Sequence, residues 1–120
     1  YFKKEKIIFT GDTLFSLGCG KIFEGTYSQM YESLSKLKNL PRDTKIYCGH
    51  EYTLKNSNFC IKYDPLNQNL INKILDIKKR TNNGTPTIPT TLEDELKCNI
   101  FLRANDVKNF SKLRDLKDNF

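Results

Sequence analysis

The sequence is poor in histidine: His50 is the only one among its 120 residues. A single histidine excludes a self-contained metal site built from several histidines. The four cysteines include no C-x-x-C pair, which excludes a zinc ribbon and a thioredoxin-type motif. No apolar run approaches the roughly 18–20 residues that a membrane span needs, so we expect no membrane partner. His50 must therefore act with ligands other than histidine, or with histidines from outside this sequence.

The composition is that of a foldable protein with a basic charge. Lysine and arginine number 20 against 14 acidic residues, and 38% of the residues are hydrophobic. The longest basic run is only Lys78-Lys79-Arg80, and no nucleic-acid-binding motif is present, so we expect no nucleic-acid partner. Widely spaced cysteines without a secretory signal favour four reduced thiols. We therefore predict a cytoplasmic protein, with a mitochondrial or plastid-type organelle as the alternative.

The first half of the sequence has the pattern of a strand, a helix and a second strand. Thr26 and Gln29 have the spacing of a capping box, and the apolar residues behind them share one helical face. Pro41 would close this helix. Short apolar, β-branched runs predict strands at 6–10 and 44–48, and the segment 13–25 is typical of a loop.

The second half predicts helices and no further strand. An amphipathic run from Leu66 to Ile77 ends at Asn82-Asn83-Gly84, and Thr90 with Glu93 suggests another capping box. We predict helices near 58–62, 66–77, 90–97 and 107–116, with an extended connector at 85–89. The chain thus divides into an α/β part, residues 1–56, and an all-α part, residues 57–120. Because two strands with one helix leave an open sheet edge, self-association through this edge is a further expectation.

Each predicted strand ends in a glycine and a side chain that can bind a metal ion. Asp12 follows Gly11 after the first strand, and His50 follows Gly49 after the second. Ligands gather at the carboxyl ends of strands in sheets flanked by helices. An aspartate beside an imidazole suits zinc, manganese or iron. The alternative is that Asp12 starts a turn and His50 is a polar loop residue.

Longer strings resemble glyoxalase II, the hydroxyacylglutathione hydrolase branch of the metallo-β-lactamase superfamily. The resemblance covers the chain from about Lys6 to its end, as the second half of such an enzyme. It implies the C-terminal part of an αββα sandwich followed by an all-α, glutathione-binding domain. The strings are FTGDTLF at 9–15, GCGKIFEGT at 18–26, YCGHEYT at 47–53, GTPTIPTTL at 84–92, NIFLR at 99–103 and RDLKDNF at 114–120.

The resemblance implies a role for seven residues. Asp12 would bridge two divalent metal ions, and His50 would be the terminal ligand of the second ion; zinc is the first choice, with iron or manganese as alternatives. The other five match positions on the glutathione-binding wall: Lys21, Phe23, Tyr52, Arg114 and Lys117. Arg114 and Lys117 match the basic pair that holds the glycine carboxylate.

Two departures from the family pattern affect this interpretation. Phe23 stands where relatives commonly carry a tyrosine, so we expect glutathione binding to be weaker by one hydrogen bond, about 0.5–1.5 kcal/mol. The family's His-x-His-x-Asp-His cluster is absent from the sequence, so the catalytic site is incomplete within these residues.

The implied reaction is hydrolysis of S-D-lactoylglutathione, in which a metal-activated hydroxide attacks the thioester carbonyl and glutathione leaves as a thiolate. We expect the 120 residues by themselves to be inactive. Two alternatives remain open: a non-catalytic module with partial glutathione contacts, and a one-iron persulfide dioxygenase. The latter family shares the Gly-Asp and Gly-Cys-Gly strings but lacks the His-Glu-Tyr-Thr string and the helical appendage.

Overall fold

The structure is a computed structural model that describes residues 1–20, 26–50 and 52–120. A three-stranded sheet has the order β1-β4-β5, and β2 with β3 forms a separate hairpin. This mixed α/β architecture, with most helices after β4, confirms the predicted fold class. None of the helices in these ranges has the length and apolar character of a membrane span. The elements are β1 Ile7–Gly11, β2 Leu14–Phe15, β3 Gly18–Cys19, α1 Tyr27–Leu37, β4 Lys45–Cys48, α2 Thr53–Tyr63, α3 Gln68–Asn82, β5 Thr90–Thr91, α4 Leu92–Cys98 and α5 Val107–Asp118.

Strands β1 and β4 are parallel neighbours, as the strand–helix–strand pattern predicts. Ile8 pairs with Ile46, and Ile46 is almost completely buried. At the carboxyl ends of the two strands, the Gly49 amide donates a hydrogen bond of 2.8 Å to the Gly11 carbonyl. Parallel pairing therefore brings the residues after both strands to the same edge of the sheet.

The prediction that no strand follows residue 53 is wrong, because Thr90 and Thr91 form β5. Thr90 pairs with Ile46 of β4 in antiparallel orientation. The capping residue of α4 is consequently Thr91, whose hydroxyl accepts a hydrogen bond from the Asp94 amide, and not Thr90 as predicted. A two-residue strand carries no periodicity of its own and forms only because β4 offers an edge.

Part of the predicted loop 13–25 is a tight hairpin, which corrects the sequence interpretation. Leu14 pairs with Cys19 across it, and Leu14 is completely buried. The turn places Leu17 at φ +60°, a conformation that non-glycine residues rarely adopt. A hydrogen bond to the helical half stabilises this turn: the Glu95 side chain accepts a hydrogen bond of 2.7 Å from the Leu17 amide. Long-range contacts of this kind leave no local signal in the sequence.

The ends of α1 and α3 show how local capping sets helix limits. The capping box of Thr26 and Gln29 at α1 is confirmed, with both reciprocal hydrogen bonds present. Helix α3 begins at Gln68 and not at Leu66, because the Asn67 side chain accepts from the Leu70 amide. Leu66 lies outside the helix and is 92% exposed.

Helix α2 begins earlier than its apolar pattern predicts. It runs from Thr53 to Tyr63, whereas the sequence predicts helix only near 58–62. The boundary that the sequence predicts between the α/β part and the all-α part, at residues 56 and 57, falls within α2. This division of the chain into two parts stays a prediction.

One hydrophobic core joins the sheet to the helices. Phe59, Phe101 and Phe110 are almost completely buried in the helical half, and they belong to the same cluster as Leu14 and Ile46. Phe59 and Phe101 stack with ring centroids 5.8 Å apart, and Phe110 meets Phe101 edge-on. This shared core holds α2 and α5 against the β2–β3 hairpin.

The four cysteines form no disulfide. Cys19, Cys60 and Cys98 are buried, and burial raises their thiol pKa values to about 11, 12 and 11. These three thiols are protonated at neutral pH and pack as small apolar groups.

Candidate active-site wall

Asp12 and His50 meet at the sheet edge where the sequence places them. His50 Nε2 lies 3.1 Å from Asp12 Oδ1. Two glycines permit this approach: Gly11 has φ +53°, and a Cβ on Gly49 would lie 3.0 Å from Asp12 Oδ1 and 3.1 Å from the Gly11 carbonyl oxygen. Backbone conformation therefore favours glycine before Asp12, and close packing favours glycine before His50.

The two side chains fit a divalent metal ion by donor type and spacing. Two ligand atoms bound to one ion at 2.0–2.2 Å stand about 3.0–3.4 Å apart, which matches the Asp12–His50 distance. Both side chains are open to solvent, with 75% of Asp12 and 50% of His50 exposed. Across the described residues, no group of three or more histidine, cysteine, aspartate or glutamate side chains is placed to hold an ion. Asp12 and His50 are therefore the two side chains of metal-ligand type that meet at this sheet edge among the described residues.

Aromatic side chains hold the His50 imidazole in place. Tyr52 stacks on it with centroids 5.0 Å apart and an interplanar angle of 13°. Phe15 lies edge-on to both rings, at 6.1 Å from His50 and 5.3 Å from Tyr52. This packing favours the ring orientation in which His50 Nε2 faces Asp12.

A cavity of about 450 Å³ brings together five of the seven predicted site residues. The helical half and the sheet both line this cavity, so it joins the Asp12–His50 pair to basic side chains. The two other predicted residues, Lys21 and Phe23, lie outside the described residues. The lining residues are Asp12, Phe15, Cys19, Gly20, His50, Tyr52, Lys55, Asn56, Arg114 and Lys117.

Arg114 lines the cavity but is almost completely buried, with 3% of its side chain exposed. Its Nη1 donates to the carbonyl oxygens of Cys19 and Gly20, at 2.6 and 3.2 Å. Its Nε and Nη2 both meet Asp118 Oδ1, at 3.1 and 3.0 Å. The guanidinium also lies over the Phe101 ring. Most of its donors and its charge are thus engaged within the protein.

Lys117 is half-buried on the same helix, and its ammonium lies 5.5 Å from the Phe59 ring and 5.6 Å from the Phe120 ring. Burial lowers the pKa of Lys117, and the charges of Arg114 and Lys55 lower it further. Lys55 stands in the first turn of α2 and is exposed. Two lysines therefore present their charge to the cavity.

Sequence reasoning missed Lys55 and Asn56. Asn56 is buried, and its side-chain amide donates a hydrogen bond of 3.2 Å to the Ser16 carbonyl. It packs so closely on Gly18 that a Cβ there would lie 2.6 Å from Asn56 Nδ2. A helix expected to begin near residue 58 leaves both residues in a loop, so no signal pointed to them.

Comparison with known proteins identifies the family. Residues 51–120 match the family model described as hydroxyacylglutathione hydrolase C-terminus. Three curated relatives bear the name hydroxyacylglutathione hydrolase. The one from Pelagibacter ubique is 66% identical over 120 residues, which is 100% of this chain and 50% of the relative. Those from Prochlorococcus marinus and Bartonella henselae are 50% and 44% identical, over 93% and 100% of this chain and 46% and 53% of their own lengths. The chain thus spans about half the length of these relatives, and it belongs to the hydroxyacylglutathione hydrolase family.

Proposed function

We propose that this chain forms one wall of the active site of a glyoxalase II-type thioester hydrolase. The reaction cleaves S-(2-hydroxyacyl)glutathione, with S-D-lactoylglutathione as the substrate, to glutathione and a 2-hydroxy acid, in methylglyoxal detoxification. The observation that carries the proposal is the cavity itself. It joins Asp12 and His50, a pair suited to metal binding, with the cationic side chains that an acidic tripeptide requires.

Asp12 and His50 would hold metal ions in a domain of metallo-β-lactamase type. We propose two divalent ions, zinc in the first place and iron or manganese as alternatives. When bound, such ions supply hydroxide at neutral pH and polarise the thioester carbonyl. Asp12, through its two carboxylate oxygens, and His50, stacked on Tyr52, would be the residues of this chain that hold these ions.

Tyr52 and Lys117 would bind the glutathione moiety. Both line the cavity beside the metal-ligand pair, and Arg114 shapes the same wall. A bound glutathione would hold the thioester in position and exclude water from its surroundings. The proposed location stays cytoplasmic, in keeping with the bacterial sources of the relatives.

A chimera tests the proposal. This chain, joined to the first half of the Pelagibacter ubique relative, should hydrolyse S-D-lactoylglutathione, because it aligns with half of that protein along its whole length. Asp12→Asn should abolish turnover, whereas Asp76→Asn, an exposed ion-pair residue of α3, should leave it unchanged. A chimera that folds but has no thioesterase activity would contradict the proposal.

For the 120-residue chain by itself, we predict neither two bound metal ions nor thioester hydrolysis. The described residues bring together two ligand side chains, and a dinuclear site needs several more. Metal analysis after equilibration with zinc, followed by a thioesterase assay, checks this. Two ions per chain together with turnover would show it to be wrong.

A second candidate function is self-association. The described sheet ends at β1, where Phe9 is 64% exposed; Phe2, which precedes β1 and bridges to its first residue, Ile7, is 55% exposed. The two rings meet edge-on with centroids 5.9 Å apart. An exposed aromatic pair beside the edge of a sheet favours pairing with another chain.

A further inference from the structure

The β2–β3 turn is held through its backbone by side chains of the helical half. Strands β2 and β3 have two residues each, so the hairpin ladder by itself gives the turn little stability. Every carbonyl from Phe15 to Gly20 accepts a hydrogen bond from a helical side chain, at distances between 2.6 and 3.4 Å. The donors are Asn99 Nδ2 to Phe15 and Gly18, Asn56 Nδ2 to Ser16, Cys60 Sγ to Leu17, and Arg114 Nη1 to Cys19 and Gly20. The helices therefore decide where the turn stands.

Asn99, at the carboxyl end of α4, uses both ends of its side-chain amide. It is completely buried, and its Oδ1 accepts a hydrogen bond of 3.0 Å from the Phe101 amide, which turns Nδ2 toward the hairpin. Nδ2 also lies 3.1 Å from Glu95 Oε1, the atom that accepts from the Leu17 amide. The site requires a donor on one side and an acceptor on the other, and a side-chain amide supplies both.

Asn56 holds the same turn from another helix. It is buried in α2, and it bonds the carbonyl of Ser16, the residue that follows Phe15. Helix α2 begins directly after Tyr52, whose ring stacks on His50. The helix that starts beside His50 is thus bonded to the turn as well.

Phe15 connects this hydrogen-bonded turn to His50. Asn99 bonds the Phe15 carbonyl, and the Phe15 ring lies edge-on to His50 and to Tyr52. Edge-on aromatic contacts are favourable only over centroid distances of about 4.5–7 Å, and the Phe15–His50 distance is already 6.1 Å. A small displacement of the turn would therefore weaken the contact that supports the imidazole.

We propose that Asn99 and Asn56 are positioning residues, which fix the β2–β3 turn and, through the Phe15 ring, the orientation of His50 toward Asp12. Their unbonded counterparts in the turn would be buried carbonyls, so the native position of the turn is the one in which both amides are satisfied. The inference goes beyond the proposed hydrolysis, because it concerns the geometry of the cavity wall in this chain.

Nuclear magnetic resonance of the 120-residue chain tests the proposal, since His50 is its single histidine and gives one set of imidazole signals. Carbon–proton correlation spectra are recorded at constant pH. Asn99→Ala removes the donor to two turn carbonyls and should shift the His50 ring signals. The shift should have the same direction as in Phe15→Leu, which removes the supporting ring itself.

Asn67→Ala is the matched control. The Asn67 side chain caps α3 and donates a hydrogen bond of 2.8 Å to the Lys97 carbonyl, so its loss also lowers stability. It should nevertheless leave the His50 signals as they are in the wild type. Urea denaturation measures the loss of stability in both asparagine variants.

Unchanged His50 signals in folded Asn99→Ala would overturn the proposal. Equal shifts in Asn99→Ala and Asn67→Ala would also overturn it, because the effect would then follow stability and not position. If circular dichroism shows Asn99→Ala to be unfolded, Asn56→Ala decides, since it removes only the bond to the Ser16 carbonyl. Its His50 signals should shift in the Phe15→Leu direction, and unchanged signals would overturn the proposal. Failure of the chimera to hydrolyse its substrate would contradict the proposed function and leave this result as it stands.

Discussion

At the scale of single residues, the cavity wall separates charges that are paired inside the protein from charges that face the cavity. Arg114 and Lys117 are three residues apart on α5, and local sequence makes them a pair. The structure buries Arg114 against backbone carbonyls and leaves Lys117 half-open to the cavity. Equal formal charges thus have different chemistry, because their surroundings differ.

Arg114→Ala should lower the free energy of unfolding by about 2–4 kcal/mol, since it removes bonds to two carbonyls and leaves Asp118 without its cation. Urea denaturation measures the change. Arg80→Ala is the matched control: the Arg80–Asp76 pair is about half exposed, so its loss should change stability by at most about 0.5 kcal/mol. Equal losses in the two variants would contradict the structural role of Arg114.

At the scale of elements, one buried carboxylate joins α4, β5 and the β2–β3 turn. Glu95 is completely buried and accepts hydrogen bonds from the Leu17 amide, the Thr90 hydroxyl and the Asn99 side chain, at 2.7, 2.9 and 3.1 Å. Burial raises the pKa of Glu95, while these hydrogen bonds and the charge of Lys73 act in the opposite direction. The hairpin that lines the cavity therefore depends on a titratable group far away in sequence.

A raised pKa means that the folded state binds this proton more tightly than the unfolded state does. Stability should therefore fall as pH rises from the ordinary glutamate value of 4.5 through the raised folded value. Glu95→Gln should remove this part of the pH dependence, because an amide of the same shape does not titrate. Urea unfolding between about pH 4 and 8 compares the variant with wild type, and Glu93→Gln, in an exposed pair on α4, is the control. Parallel curves for wild type and Glu95→Gln would show this prediction to be wrong.

At the scale of the whole molecule, the exposed face of β1 predicts association between copies of the chain. Phe9 is 64% exposed and lies 5.4 Å, centroid to centroid, from Tyr47 on the neighbouring strand. Phe9→Ser should shift sedimentation toward the monomer. Leu75→Ser is the control, because Leu75 is also 64% exposed but lies on helix α3. A monomeric wild-type chain, or an equal effect of both substitutions, would rule out β1 as the contact.

The sequence by itself determined the strands that precede Asp12 and His50, the Thr26–Gln29 cap of α1 and the family. Each depends on neighbours within a few residues, or on strings that can be matched directly. Only the tertiary structure decided the burial of Arg114, the exposure of Lys55 to the cavity and the place of Thr90 in the sheet. The bonds from Arg114 to Cys19 and Gly20 cross 95 and 94 residues, and the Leu17–Glu95 bond crosses 78. Contacts this distant arise from packing of the whole chain and leave no periodic pattern in the sequence.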